Sequence, residues 1–116
     1  VVDDNVDAAA TLGMLLEACG YAVTVENDSL RALEVALRDC PEVGLLDIGL
    51  PEMDGNELAR RLRQDPRTRS MLLVAITGYG QEQDRRAALE AGFDHHMVKP
   101  VDLDRLAAIL AGVVSA

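Results

Sequence analysis

The sequence predicts an α/β domain, a doubly wound parallel sheet with helices on both faces. Three observations carry this. Short apolar runs alternate strictly with helical patterns along the 116 residues. The runs Val43 to Leu46 and Met71 to Ile76 are almost continuously apolar, as in strands covered on both faces. Successive runs end in a polar residue (Asp47, Thr77 and Lys99), each followed within two positions by Gly or Pro, where a chain leaves a sheet.

In chain order, Val1-Val2 runs straight into Asp3-Asp4-Asn5. Two apolar residues are short for a central strand, so the first strand is expected to start upstream of Val1. Val6 to Cys19 reads as a helix with Ala9, Leu12, Leu16 and Cys19 on one face and Gly20 just past its end. Tyr21 to Val25 is a second short strand. Asp28-Ser29 caps a helix from Leu30 to Arg38 with Ala32, Leu33, Ala36 and Leu37 inward, and Cys40-Pro41 ends it. Val43 to Asp47 is the third strand. Asp54-Gly55 starts a helix that runs to Arg63, with Leu58 and Leu62 inward and Arg60, Arg61 and Arg63 mostly outward.

Met71 to Ile76 is the fourth strand and leads into Thr77-Gly78-Tyr79-Gly80. A helix spans Glu82 to Glu90, and His95 to Val98 is the fifth strand. Asp102 caps a last helix with Leu103, Leu106, Ala107 and Leu110 inward. Five such units form a single domain over residues 1–116 and favour the flavodoxin-like strand order 2-1-3-4-5. The switch point of that order lies between strands 1 and 3, whose C-terminal ends carry Asp3, Asp4 and Asp47.

Composition narrows the function classes. Apolar residues make up 49% of the chain but aromatics only 3%, so Leu, Val, Ile and Ala must fill the core. A formal net charge of −9 argues against non-specific binding to nucleic acid or to an anionic membrane, which both need a basic surface. No apolar run is long enough to span a bilayer, and a cytoplasmic setting is expected. Cys19 and Cys40 lack metal-ligand spacing and read as reduced, small core residues.

The chemistry lies at the strand ends. Taken singly, each polar residue has an ordinary reading. Asp3-Asp4 could cap a helix, Asp47 could start a loop, Thr77 could sit in a turn, and Lys99 could be a solvated charge. Together they occupy the ends of strands 1, 3, 4 and 5 at one rim. Carboxylates about 5 Å apart repel by about 3 kcal/mol at an effective dielectric of about 20, so the cluster needs raised pKa values or a cation. Oxygen donors with room for water suit Mg²⁺. A metal beside a carboxylate prepares a site for phosphate, and Asp is a nucleophile able to form an acyl phosphate. Lys99 is the single lysine of the chain and could pair with a phosphoryl oxygen, or with Asp47 when none is bound.

These motifs resemble the receiver domains of two-component response regulators. The resemblance covers the whole chain. It rests on Asp3-Asp4, on Leu46-Asp47-Ile48-Gly49-Leu50-Pro51 with Met53-Asp54-Gly55, on Ala75-Ile76-Thr77-Gly78, and on Ala91-Gly92 followed by Val98-Lys99-Pro100. It implies that Asp47 is the phosphoacceptor and that Asp4, Asp47 and the Gly49 carbonyl ligate Mg²⁺ (or Mn²⁺), with Asp3 acting partly through water. It also implies that Thr77 and Lys99 hold the phosphoryl oxygens and that Lys99-Pro100 is a cis peptide bond. The implied partners are a histidine kinase or a histidine phosphotransfer domain, with no direct contact to nucleic acid or membrane. Such a domain is not a turnover enzyme as such. It catalyses its own phosphorylation and slow dephosphorylation.

One departure from the family's pattern concerns the switch position three residues before the lysine. It is usually Tyr or Phe, and here it is His96. His95 alternates to the other face, so the two histidines do not form one metal site. Gly49 and Tyr79 occupy positions that tune phosphoryl lifetime in the family. The segment from Gly92 to Val101 resembles receivers fused to sensor histidine kinases. Two rival readings remain. A Mg²⁺-dependent aspartyl-phosphate phosphohydrolase would need a second carboxylate two residues after Asp47, where this chain has Gly49. The other is a non-phosphorylated binding module of the same fold.

Overall fold

The computed structural model describes residues 1–50, 53–78 and 82–114. Among these residues, three strands form a parallel sheet in the order β1-β2-β3: β1 (Val43–Asp47), β2 (Leu72–Thr77) and β3 (His95–Val98). They match the third, fourth and fifth predicted strands. Asp47 stands beside Ile76, and Thr77 beside Val98. Among the described residues, five helices surround the sheet: α1 (Val6–Ala18), α2 (Ser29–Asp39), α3 (Gly55–Gln64), α4 (Glu82–Ala91) and α5 (Leu103–Val114).

The first two predicted strands join the sheet only through isolated bridges. Val2 bridges Leu46 on one side and Glu26 on the other, both in parallel. The Val2 N–H donates to the Leu45 carbonyl at 2.8 Å, and the Asp47 N–H donates to the Val2 carbonyl at 2.8 Å. On the far side Asp3 donates to Glu26 at 3.1 Å and Glu26 to Val1 at 2.9 Å. Reading across, the segments follow the predicted order. The residues 21–25 show the alternating exposure of an outer strand and join the sheet through the bridge at Glu26.

Alternation along the strands feeds two cores. Leu46, Leu73 and Ala75 pack with Ala32, Ala36, Leu58 and Leu62 on the α2–α3 side. Leu45, Val74 and Ile76 pack with Leu16, Leu106 and Leu110 on the α1–α5 side. Polar caps start the helices. Asn5 accepts from the Ala8 N–H, Asp28 from the Leu30 and Arg31 N–H groups, and Asp54 from the Glu57 N–H. Asn5 therefore caps α1, and Asp3 and Asp4 do not.

Three expectations about side chains are corrected. Cys19 and Cys40 are exposed free thiols, because both sit at helix C-caps where the chain turns outward. The inward face of α5 is Leu106, Ile109 and Leu110, whereas Leu103 and Ala107 face solvent. Arg63 lies half-buried at the end of the sheet where the strands begin. Its guanidinium donates to the carbonyls of Gly92 (2.9 Å), Arg69 (2.7 Å) and Met71 (2.5 Å), and to Asp94 Oδ2 (2.8 Å). Asp94 Oδ2 also accepts from the Leu73 N–H at 2.9 Å. This clasp ties the end of α3 to the starts of β2 and β3.

Candidate functional site

The site forms at the opposite rim, where the strands end. β1 carries Asp47 to that rim with the side chain largely buried. The bridge at Val2 brings Asp3, also buried, and the exposed Asp4 beside it. One carboxylate oxygen from each of Asp3, Asp4 and Asp47 lies within 4.8 Å of the other two. Lys99 follows β3, and its ammonium donates to Asp3 Oδ2 at 3.0 Å and to Asp47 Oδ2 at 3.3 Å. Thr77 is buried as the last residue of β2, and its carbonyl accepts the Lys99 N–H at 2.7 Å. The Lys99-Pro100 bond is cis, as the sequence led one to expect.

Backbone amides hold the carboxylates. The Gly49 N–H donates to Asp47 Oδ1 at 3.0 Å, and the Asn5 N–H donates to Asp3 Oδ1 at 2.9 Å. Asn27 Nδ2 donates to the Asp3 carbonyl at 2.8 Å. The start of α3 presses on the end of β1. The Gly55 N–H donates to the Ile48 carbonyl at 3.0 Å, and a Cβ at Gly55 would overlap the Asp47 carbonyl and lie 2.8 Å from Ile48 Cα. Only glycine fits there. Sequence reading takes Gly55 only as the start of a helix. Asn5 and Asn27 were missed, because nothing in a sequence marks which backbone groups a polar side chain will meet.

Electrostatics separates the two buried aspartates. Burial pushes the Asp47 carboxyl up and the charge of Asp3 pushes it further, against the Gly49 amide and Lys99, which pull it down. Burial also pushes on Asp3. There the Asn5 amide, the Lys99 ammonium and a hydrogen bond shared with Asp47 win, and its carboxyl lies below the usual range. The two therefore titrate as a pair in which Asp47 keeps the proton to higher pH. Burial works against the Lys99 ammonium, but its contacts with Asp3 and Asp47 outweigh it and raise its pKa.

Three ionised carboxylates against one ammonium leave a formal charge of −2, made only of oxygen donors. That donor set and charge fit a hard dication such as Mg²⁺. The two histidines stand at adjacent positions of β3, His95 opposite Val74 and His96 opposite Ala75, and both are half-buried. Tyr79, the other position named for phosphoryl lifetime, lies outside the described residues, as do Pro51 and Glu52 of the loop after Asp47.

Comparison with known proteins agrees with this geometry. A family model described as "Response regulator receiver domain" matches residues 1–111. An uncharacterised 14.6 kDa protein from the sodA1 3′ region of Leptolyngbya boryana is 41% identical over 102 residues, covering 88% of this chain and 78% of that protein. The response regulator PleD of Caulobacter vibrioides is 39% identical over 102 residues. That match covers 88% of this chain and only 22% of PleD, so the chain corresponds to a minor part of that relative. Among solved structures, the receiver domain of the sensor histidine kinase PA1611 from Pseudomonas aeruginosa PAO1 superposes with a TM-score of 0.89 at 29% identity, over 99% of this chain and 94% of that one. It was crystallised with a magnesium ion coordinated in its active site cleft.

Proposed function

This chain belongs to the response regulator receiver domain family, and from that membership we propose that Asp47 is the residue that takes the phosphoryl group. The domain is a phosphoacceptor of two-component signalling. The observation behind the assignment is the position of the Asp47 carboxylate: at a strand end, 3.3 Å from the Lys99 ammonium and within 4.8 Å of oxygens from Asp3 and Asp4. The donor is a phosphohistidine on a histidine kinase or a histidine phosphotransfer domain. A carboxylate oxygen of Asp47 attacks phosphorus, the P–N bond breaks, and its electron pair returns to the imidazole nitrogen. The product is an acyl phosphate on Asp47. Slow attack of water on that phosphorus breaks the new P–O bond, releases inorganic phosphate and restores the carboxylate.

Asp3, Asp4, Asp47 and the backbone carbonyl of Gly49 are the groups assigned to hold Mg²⁺, with Asp3 acting partly through water and Mn²⁺ able to replace it. Bound there, the cation neutralises charge on the phosphoryl oxygens. Lys99 moves from its carboxylate partners to a phosphoryl oxygen, and the Thr77 hydroxyl donates to another. Withdrawal of Lys99 from β1 and inward movement of Thr77 and His96 would then bias the surface of α4, β3 and α5 and so change partner binding. Residues 1–116 act as one receiver unit in this reading, in a cytoplasmic setting, without contact to nucleic acid or membrane.

A phosphohydrolase is disfavoured, because Gly49 supplies no acid or base two residues after Asp47. The test is Asp47→Asn incubated with radiolabelled acetyl phosphate and Mg²⁺. The wild-type protein is expected to take up label and the variant none. Uptake by the variant at the wild-type rate would refute the assignment.

A further inference from the structure

Asp3 and Asp4 lie just past the Val2 bridge and outside β1, β2 and β3. The Asp3 carboxylate is buried and is held by the Asn5 N–H at 2.9 Å and by the Lys99 ammonium at 3.0 Å. Asp4 differs. It is exposed, and its carboxylate makes no hydrogen bond or ion pair with any described residue. The direction in which it leaves the chain is therefore set by its backbone.

The backbone bonds of this stretch follow a parallel pattern for two steps. Glu26 N–H donates to the Val1 carbonyl at 2.9 Å, and Asp3 N–H donates to the Glu26 carbonyl at 3.1 Å. A third step would have Asp28 N–H donate to the Asp3 carbonyl. Asp28 instead starts α2, where its side chain accepts from the Leu30 N–H at 2.8 Å and the Arg31 N–H at 3.2 Å. The donor to the Asp3 carbonyl is the side chain of Asn27, whose Nδ2 lies 2.8 Å away. That carbonyl belongs to the peptide between Asp3 and Asp4. A peptide unit is planar, so a bond to its oxygen also places the nitrogen and Cα of Asp4. An amide suits the role, since a carboxylate of the same shape has no hydrogen to donate and would set oxygen against oxygen.

We propose that Asn27 is a positioning residue for the metal site. Its amide orients the Asp3–Asp4 peptide so that a carboxylate oxygen of Asp4 comes within 4.8 Å of oxygens from Asp3 and Asp47. The bond is not needed to join the two segments, because the Val2–Glu26 bridge and the backbone bonds at Val1 and Asp3 already do so. Its effect falls on the one carboxylate of the three that no side-chain contact holds. The inference rests on the reading of Asp3, Asp4 and Asp47 as a Mg²⁺ site, and not on phosphoryl transfer to Asp47.

The test compares the wild-type protein with Asn27→Ala, an exposed position where truncation leaves the core intact. Mg²⁺ binding is measured by calorimetry, Tm without metal by thermal unfolding, and the mobility of the Asp4 N–H without metal by ¹⁵N relaxation. The variant is expected to bind Mg²⁺ about tenfold more weakly. The order parameter of its Asp4 N–H should fall from about 0.85 to about 0.6 in the absence of metal. A Mg²⁺ affinity within twofold of wild type, whatever the change in Tm, would assign the bond to the fold alone and overturn the proposal. Weakened binding with Asp4 as ordered as in the wild-type protein would overturn it too, since Asn27 would then act by another route. A wild-type protein that binds no Mg²⁺ would refute the metal reading itself, and this inference with it.

Discussion

At the rim where the strands end, three carboxylates cluster and two of them, Asp3 and Asp47, share one ammonium. At the rim where they begin, one guanidinium meets three carbonyls and a carboxylate, each within 2.9 Å. The first arrangement is left with surplus negative charge and a carboxyl whose pKa is raised. The second uses its charge fully and holds three elements together. A half-buried charge with matched partners resists change, whereas an unmatched cluster stays ready for an added cation or phosphoryl group. The difference teaches where this molecule spends stability and where it keeps reactivity.

The comparison can be broken at several points. Asp47→Asn has the largest expected effect, complete loss of phosphoryl uptake. The same change should leave Tm equal or higher, because it removes one of three crowded negative charges. A clear fall in Tm on thermal unfolding would show that the carboxylate stabilises the fold. Next comes Gly55→Ala, which forces a methyl group into the Asp47 carbonyl and is expected to cost about 3 kcal/mol in denaturant titration. Arg63→Ala removes four hydrogen bonds and leaves Asp94 facing only a backbone amide. A loss of about 2–3 kcal/mol is expected, with Mg²⁺ affinity unchanged by calorimetry. If Mg²⁺ affinity falls with it, the two rims are coupled.

Smaller effects sharpen the picture. Asp4 is exposed, so Asp4→Asn should leave Tm unchanged without metal while abolishing the rise in Tm that Mg²⁺ gives the wild-type protein. Lys99→Met should shift the titration of both buried aspartates upward, read from their side-chain carboxyl ¹³C resonances, with Asp47 still titrating above Asp3. The signs matter for acid stability. The lowered pKa of Asp3 gives stability that is present above the carboxyl's unfolded value and lost as pH falls through the folded one. The raised pKa of Asp47 does the reverse, since its ionisation costs stability that is recovered as pH falls. The two act in different windows, Asp47 above the ordinary carboxyl value and Asp3 below it, so stability rises and then falls as pH is lowered through the carboxyl range.

The two rims also differed in how well the sequence revealed them. Asp47, Thr77 and Lys99 each end an apolar run, so topology alone carries them to one rim, and the structure groups Asp3, Asp4, Asp47 and Lys99 there. The Arg63 clasp was invisible. Its acceptors are mostly backbone carbonyls, which every residue carries, and helical periodicity put Arg63 outward with Arg60 and Arg61. Cys19 and Cys40 were misread for a related reason. Composition makes a free cysteine a core residue, but a helix cap turns it into solvent whatever its hydrophobicity. The face of α5 was misjudged because Leu103 and Ala107 are apolar yet lie on its outer side.

The hydrogen bond from Gly55 N–H to the Ile48 carbonyl closes the loop after Asp47 on itself. Chain that leaves and returns at one point has already met the entropy of closure, and doubling its length adds only about 0.6 kcal/mol. Residues inserted after Gly49 would therefore leave β1 and α3 aligned while displacing the backbone around Gly49. Loop length is thus a handle that separates the integrity of the scaffold from the affinity of the rim.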